Sequence, residues 1–545
     1  MSKLPLSLLV ACASALAAPS LTGATSFTPD DPLFAPSVGS WGQWHLANLA
    51  DYSSYFPEDA ASLPWLTHVQ GNNVVGAWAL GYTGTGVVIG IIDDGVEGGH
   101  PDLLANYRAD LSKNFSQGDI ANQPQRPYQT DDDHGTSVAG VAAAVGGNGI
   151  GVTGAAPHAQ IAGLRISSGG TEDDPAYGTR DVINAFLWHS GVTESGNYTG
   201  EAVVSIKNNS WGENVPFLAT DADAVKVIRN ASRNNVIFVF AAGNERGTFS
   251  ENANTYLLNV AEPVISVAAF GSDGKFSDYS NYGSSTFVTA ASNSLTGFEI
   301  ITTDRVGTPG YDTSDYAYDF GGTSSSAPLV SGILALGKEA APALDVRWAK
   351  HTLANTSLLV DATDSSPSSG VVDWSAPSLT GRGWQTNGAG LHFNPNYGFG
   401  MVDAEAFVKR VVETAFVTER TTYTLSKYSI ATKLAANSTA TATTPALNRD
   451  YLYAFKLSGS QITQSLESVE VHVALKNGRA WKDLLIQLVS PDGTVSDLYT
   501  PLLNAPTTEE AATATLQGLN KGLDWTFTTN AFWGETGVGD WKLLV

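Results

Sequence analysis

Gly86-Val87-Val88-Ile89-Gly90-Ile91-Ile92, closed by Asp93-Asp94-Gly95, is the stretch on which the fold turns. The run is apolar almost without interruption and too short for a helix of ordinary length. It therefore reads as a strand buried on both faces, the kind a parallel sheet covered by helices requires. Its acids then stand at the carboxyl end of that strand, where open parallel sheets place their chemistry.

Working outward, Gln160–Ile166, Val203–Ile206 and Val236–Phe240 have the same character. Helical patterns lie between and after them at Gly135–Val145, Ala222–Asn234 and Ser326–Leu336, and Val402–Thr414 reads as a closing helix. This alternation predicts an α/β domain with a doubly wound parallel sheet over residues 30–415. Asp361–Gly383 is a Ser/Pro/Gly-rich surface excursion. Residues 416–446 read as a linker, ending in the polar Leu434–Ala446. Beyond it, Val469–Leu475, Leu484–Val489, Trp525–Thr529 and Trp541–Val545 read as strands, with a turn at Ser490-Pro491-Asp492-Gly493-Thr494. Residues 447–545 are thus expected to form an all-β jelly roll or sandwich.

The 545 residues carry 53 Asp+Glu against 29 Lys+Arg, a formal net charge of −24. Nucleic acid and anionic membrane surfaces are poor partners for such a chain, because both need clustered Lys/Arg. Residues 1–17 read as a secretory signal peptide: Lys3 precedes an apolar stretch, and Ala15-Leu16-Ala17 offers a small-residue cleavage site. The single cysteine, Cys12, falls within it; Leu9-Val10-Ala11-Cys12 resembles a lipoprotein acceptor, a minor alternative to cleavage. The mature chain is expected to be secreted, free of disulfides and monomeric. No later apolar run approaches the ~20 residues that span a bilayer.

Three segments carry chemistry. Asp93 ends the first strand, Asp131-Asp132-Asp133-His134-Gly135-Thr136-Ser137 opens a small-residue helix, and Gly321-Gly322-Thr323-Ser324-Ser325-Ser326 delivers a serine to a helix N-terminus. A serine nucleophile needs a base for its proton and an acid to orient that base. Ala241-Ala242-Gly243-Asn244 follows a strand and can add an amide donor for an oxyanion. Each segment alone is commonplace; the ordered combination is specific.

The sequence resembles the subtilisin-like serine endoproteases of the kexin/furin (proprotein convertase) branch, from Asp31-Pro32-Leu33-Phe34 to Val545. The markers are Asp93-Asp94-Gly95 and Gly322-Thr323-Ser324-Ser325-Ser326-Ala327-Pro328-Leu329. Asp483-Leu484-Leu485-Ile486, Ser490–Thr494 and Phe532-Trp533-Gly534-Glu535 mark a C-terminal P domain. The order Asp, His, Ser is that of subtilisin. The resemblance implies Ser324 as nucleophile, His134 as general base and acid, Asp93 as orienting carboxylate and Asn244 as oxyanion donor. It makes Ser210-Trp211-Gly212 the edge that pairs with an extended substrate. Asp94 and Asp131 match acids facing a basic residue one before the scissile one, and Glu172-Asp173-Asp174 adds charge further along. An unperturbed His134 would give a pH–rate limb near ~6.5–7.

The same resemblance implies a Ca²⁺ site. Its ligands would be the Asp31 and Asp102 carboxylates, the Asn148 side chain and the carbonyls of Val145, Ile150 and Val152, a hard-oxygen set suited to the ion. The sequence departs from the branch at the pocket for the basic residue at the scissile bond. Glu213-Asn214-Val215-Pro216-Phe217 replaces a Pro-and-acid loop, and Asn254 stands where a second acid is expected. A second calcium is correspondingly doubtful, with Glu213, Glu251 and Asp278 as its only candidates. Only Ala18–Pro29 is available as a pro-region, which points to unaided folding or a separate chaperone. The P domain ends short of the branch's last strand and is expected to be incomplete or differently closed. The expected partners are polypeptide substrates. A broad-specificity subtilisin-type protease is one alternative; a vestigial enzyme binding partners through its β domain is another, from a different class.

Overall fold

The computed structural model describes residues 26–117, 123–166, 176–212, 215–218, 222–365, 383–414, 417, 420–422, 452–457, 464–476, 484–500 and 522–545. The signal segment with Cys12, Glu172-Asp173-Asp174, Glu213 and most of the expected linker lie outside these residues.

Seven parallel strands form the central sheet: β1 (Val88–Asp93), β2 (Lys113–Asn114), β3 (Gln160–Arg165), β4 (Ile206–Asn209), β5 (Ile237–Ala241), β6 (Val264–Phe270) and β7 (Thr286–Ala291), in the order β2-β3-β1-β4-β5-β6-β7. Both faces are covered. Helices α1 (Val74–Ala79) and α2 (His134–Ala143) belong to one face; α3 (Thr179–Leu187) and α4 (Ala222–Ser232) belong to the other. Within β1, Ile89 and Ile91 enter the first core while Val88 and Ile92 enter the second, so the apolar run is used on both sides as its composition requires. A hairpin of β8 (Ile300–Thr303) and β9 (Tyr316–Phe320) leads into α5 (Thr323–Ala340), which lies across β4–β7. Helices α6 (Val346–Thr356) and α7 (Ala404–Glu413) pack behind it, and a small ribbon of β10 (Gln385–Thr386) and β11 (His392–Phe393) separates them.

The structure corrects one expected strand. Val203–Ile206 is not the fourth strand; it is Ile206-Lys207-Asn208-Asn209, all buried. Apolarity misplaced it because its polar groups are bonded internally. Lys207 Nζ donates to the carbonyls of Ala185 (3.1 Å) and Trp188 (2.8 Å) at the end of α3, and burial pushes its ammonium down to about 7. Asn209 Nδ2 donates to the Lys207 and Val239 carbonyls. The last expected helix of the sheet domain core also begins earlier, at Thr323 rather than Ser326.

The C-terminal part is antiparallel: β12 (Leu452–Leu457), β13 (Val469–Lys476), β14 (Ile486–Val489), β15 (Val495–Tyr499), β16 (Gly522–Thr529) and β17 (Gly539–Leu544). They form one sheet of order β12-β17-β14-β15 and a β13-β16 pair. Strands β12 and β15 were not legible as strands; Ser490–Thr494 closes the β14–β15 turn through Gly493 N–H to the Ser490 carbonyl. This β domain is docked firmly. Phe217 inserts edge-on against Trp525 and Phe527 and tilted against Tyr499, and Trp533 packs on Phe287 and Phe399. Asn254, expected near the substrate pocket, is fully buried in this interface. Its Nδ2 donates to the Leu498 carbonyl (3.1 Å), its Oδ1 accepts from Thr528 N–H (2.9 Å), and its carbonyl accepts from Trp525 Nε1 (2.9 Å). An amide serves there because it can donate and accept at once, which a carboxylate cannot.

Candidate active site

The sheet brings the four predicted chemical groups to one edge. Asp93 ends β1 in register with Arg165 at the end of β3, and Ile92 pairs with Asn209 at the end of β4. His134 is the first residue of α2, Ser324 the second of α5, and Asn244 follows β5.

His134 Nδ1 lies 2.9 Å from Asp93 Oδ1, so the carboxylate holds the ring by one nitrogen and leaves Nε2 as the other. Gly135 allows the close approach of α2 to β1, since a Cβ there would meet the Gly95 carbonyl at 2.3 Å. Burial pulls the His134 imidazole down, but Asp93, Asp94 and Asp133 outweigh it and push it up to about 9. Its side chain remains 26% exposed, consistent with a base that must reach solvent or substrate. Phe320 lies beside the ring, with centroids 5.6 Å apart.

Ser324 is carried into place by Gly322, the N-cap of α5, whose φ of 73° suits glycine and whose absent side chain leaves room for Asn244 Nδ2. Asn244 Oδ1 accepts from the backbone N–H of Thr323 (2.8 Å) and from Thr323 Oγ1 (2.9 Å). That anchoring leaves Nδ2 to face the same helix N-terminus, beside the Ser324 N–H. The Ser324 hydroxyl donates to the Ser210 carbonyl at 3.1 Å, so attack requires it to turn toward His134. Sequence reasoning missed Glu245. Its Oε2 accepts the Asn244 N–H and Asn281 Nδ2, each at 2.8 Å, and so holds the segment that carries Asn244. The only signal in the sequence was an acid directly following Asn244.

The expected substrate residues separate. Ser210 is buried, Trp211 is half-buried with Nε1 donating to the Ile92 carbonyl (2.9 Å), and Gly212 is exposed. Asp131 is exposed at the turn before α2. Asp94 is not open to a substrate side chain: it is buried, with Oδ1 on Gly135 N–H and Oδ2 on His134 N–H. Burial and neighbouring Asp93 raise its carboxyl well above the usual range. Asp132, which drew no assignment from sequence, is buried in an ion pair with Arg165 at 2.8 Å.

The expected calcium ligands also converge. Asp31 accepts from the N–H groups of Gly147 (2.8 Å) and Asn148 (3.2 Å). Asp102 accepts from Asn148 Nδ2 and Val152 N–H, both at 2.8 Å, while its own carbonyl accepts from Val145 N–H. Ile150 N–H donates to Asn148 Oδ1. Burial raises both carboxyls, and among the described residues neither pairs with Lys or Arg. Two buried carboxylates aimed at one Gly-rich loop fit a hard cation, provided the Asn148 amide presents its oxygen instead of its N–H. Of the described candidates for a second calcium, Glu251 is buried on Gly247 N–H and Tyr282, while Asp278 is exposed.

Comparison with known proteins agrees with this fold. The model of the subtilase family matches residues 84–400, and that of the proprotein convertase P-domain matches residues 466–545. Proprotein convertase subtilisin/kexin type 5 of Rattus norvegicus is 29% identical over 516 residues, covering 90% of this chain and 25% of its own. Furin of Bos taurus is 30% identical over 488 residues, covering 87% and 53% respectively. The chain thus spans between a quarter and about half the length of these relatives. Among solved structures, the serine protease of Aeromonas sobria superposes with a TM-score of 0.67 at 24% identity, over 95% of this chain and 88% of that one. A complex of the Aeromonas sobria serine protease with a chaperone gives 0.65 at 24% identity, over 92% and 86%.

Proposed function

The chain belongs to the subtilase family and joins its catalytic domain to a proprotein-convertase P domain, and from that premise we propose that it is an exported, calcium-dependent serine endopeptidase. The observation that carries this reading is the Asp93–His134 hydrogen bond at the same sheet edge as a serine at a helix N-terminus that also holds an amide donor. In the proposed reaction, His134 Nε2 takes the Ser324 proton as Oγ attacks the scissile carbonyl. The resulting oxyanion is met by Asn244 Nδ2 and the Ser324 N–H. His134 then protonates the leaving amine, and water releases the acyl group by the same steps in reverse. Asp93 keeps the imidazole in the tautomer this requires. Asp31, Asp102, Asn148 and the carbonyls of Val145, Ile150 and Val152 would hold Ca²⁺, which when bound cross-links their loops.

Cleavage after basic residues is the finer reading, resting on Asp131 and the net charge of −24. A specific observation favours the broader alternative: Asn254 is occupied in the domain interface and lends nothing to the pocket. Export through residues 1–17 and folding with a separate helper complete the proposal; a chaperone complex of the Aeromonas sobria protease supports the latter. Labelling with a fluorophosphonate tests the enzyme reading: folded protein should label at Ser324, and Ser324→Ala should not. Absence of labelling overturns it. Peptide-library profiling then separates basic from broad preference.

A further inference from the structure

Helix α5 contains Pro328, four residues after Ser324. A helical carbonyl is normally met by the N–H four residues on, and proline has none. The Ser324 carbonyl is therefore stripped of its helical donor at the very residue that carries the nucleophile. A carbonyl so placed, in a residue only 9% exposed, needs another partner.

That partner comes from the sheet. Ser210 Oγ donates to the Ser324 carbonyl at 2.9 Å. Asn208 Nδ2 donates to Ser210 Oγ at 3.0 Å, and Ser331 Oγ, two turns further along α5, donates to Asn208 Oδ1 at 2.9 Å. The donors all run in one direction, from Ser331 through Asn208 and Ser210 to Ser324, so each link polarises the next. Asn208 and Ser331 have no exposed surface and Ser210 is 4% exposed. Each hydrogen bond is thus made away from competing water. A buried asparagine in the centre of a sheet is costly unless it is satisfied on both sides, and this chain satisfies it.

We propose that Ser331 and Asn208 are positioning residues for the nucleophile: through Ser210 they replace the hydrogen bond that Pro328 removes and fix the Ser324 carbonyl, and with it the main chain of the residue whose own N–H faces the oxyanion. This rests on Ser324 being the nucleophile. The loop closes on the strand segment expected to pair with substrate, because the Ser324 hydroxyl in turn rests on the Ser210 carbonyl. Ser324 and Ser210 are locked to one another in both directions, and Ser331, which touches no substrate, sets how firmly.

The test is a double-mutant cycle on the rate of fluorophosphonate labelling, with the labelled fraction measured at the end point in every variant. Ser331→Ala keeps a good helix former and should fold. It should slow labelling of the competent fraction by about fivefold or more, with the end-point stoichiometry unchanged. Ser210→Ala should slow it at least as much. The double variant should be no slower than Ser210→Ala alone, because the chain is already cut. Multiplicative slowing in the double variant, or a Ser331→Ala loss confined to stoichiometry, overturns the proposal: the first would mean that Ser331 acts independently of Ser210, the second that it only supports folding. Wild-type protein that fails to label overturns the underlying assignment of Ser324, and the proposal with it.

Discussion

The buried carboxylate of Asp94 accepts the backbone N–H of His134 at 3.1 Å and that of Gly135 at 2.8 Å. Two consecutive acids thus act on one histidine, Asp93 through the ring and Asp94 through the main chain. Asp94→Ala is expected to lose this cap on α2, costing about 1–2 kcal/mol of stability. It should also lower kcat more than it raises KM, because it displaces the base instead of a substrate contact. A variant with unaltered kcat but a lost preference for basic residues would show that Asp94 faces substrate after all. Denaturant unfolding and steady-state kinetics on the same preparation give both readings.

The pH dependence follows from the charges around His134. Burial lowers its pKa, but the adjoining Asp93, Asp94 and Asp133 outweigh burial and push it up to about 9. A protonated imidazole cannot take the serine proton, so kcat/KM should rise with pH through a limb centred clearly above 7, not at the ~6.5 of a free histidine. Stability runs the other way. The Asp93–His134 attraction is fully present below the unfolded-state value near ~6.5 and is lost as pH climbs through the raised folded value. A rate limb centred at 6.5 in the free enzyme would contradict the raised pKa.

Asn254 makes a third case. It bonds Leu498, Thr528 and Trp525 across the domain boundary. Asn254→Leu leaves a buried carbonyl and a buried N–H without partners, an expected loss of about 3 kcal/mol. Calorimetry should then show the β domain unfolding before the sheet domain. Asn254→Asp, tried as a restored pocket acid, should leave the cleavage preference where it was. A gain of preference for Arg or Lys would place the side chain in the pocket instead.

These residues mark where sequence reading succeeds. Strand β1 was legible because every one of its residues is buried, and the nucleophile turn because Gly322 demands a positive φ. Strand β4 was not, since Lys207, Asn208 and Asn209 are polar in composition yet buried by virtue of partners far along the chain. The surroundings of Asn254 and Asp94 were hidden for a related reason. Whether a carboxylate or amide faces a cleft or an N–H group of its own fold depends on contacts made 30 or more residues away, such as Asp94 with Gly135 and Asn254 with Thr528. Composition carries no trace of such pairings.

Bound calcium would add a cross-link to a sheet domain that contains no cysteine. Asp31 belongs to the N-terminal arm, Asp102 follows β1 and Asn148 follows α2, so an ion shared among them ties three separate segments together. Without it, two buried carboxylates stay desolvated and lean only on backbone N–H groups and the Asn148 amide. A ligand present at about 100 times its Kd adds roughly 2.7 kcal/mol, and a domain of this size should answer with a melting temperature shift of about 3 °C. EGTA is therefore expected to lower the melting temperature by that order, and added Ca²⁺ to restore it. Asp102→Asn should melt low from the outset and respond to neither. If wild-type protein melts identically with EGTA and with Ca²⁺, the convergence of Asp31, Asp102 and Asn148 is a hydrogen-bonded loop and not a metal site.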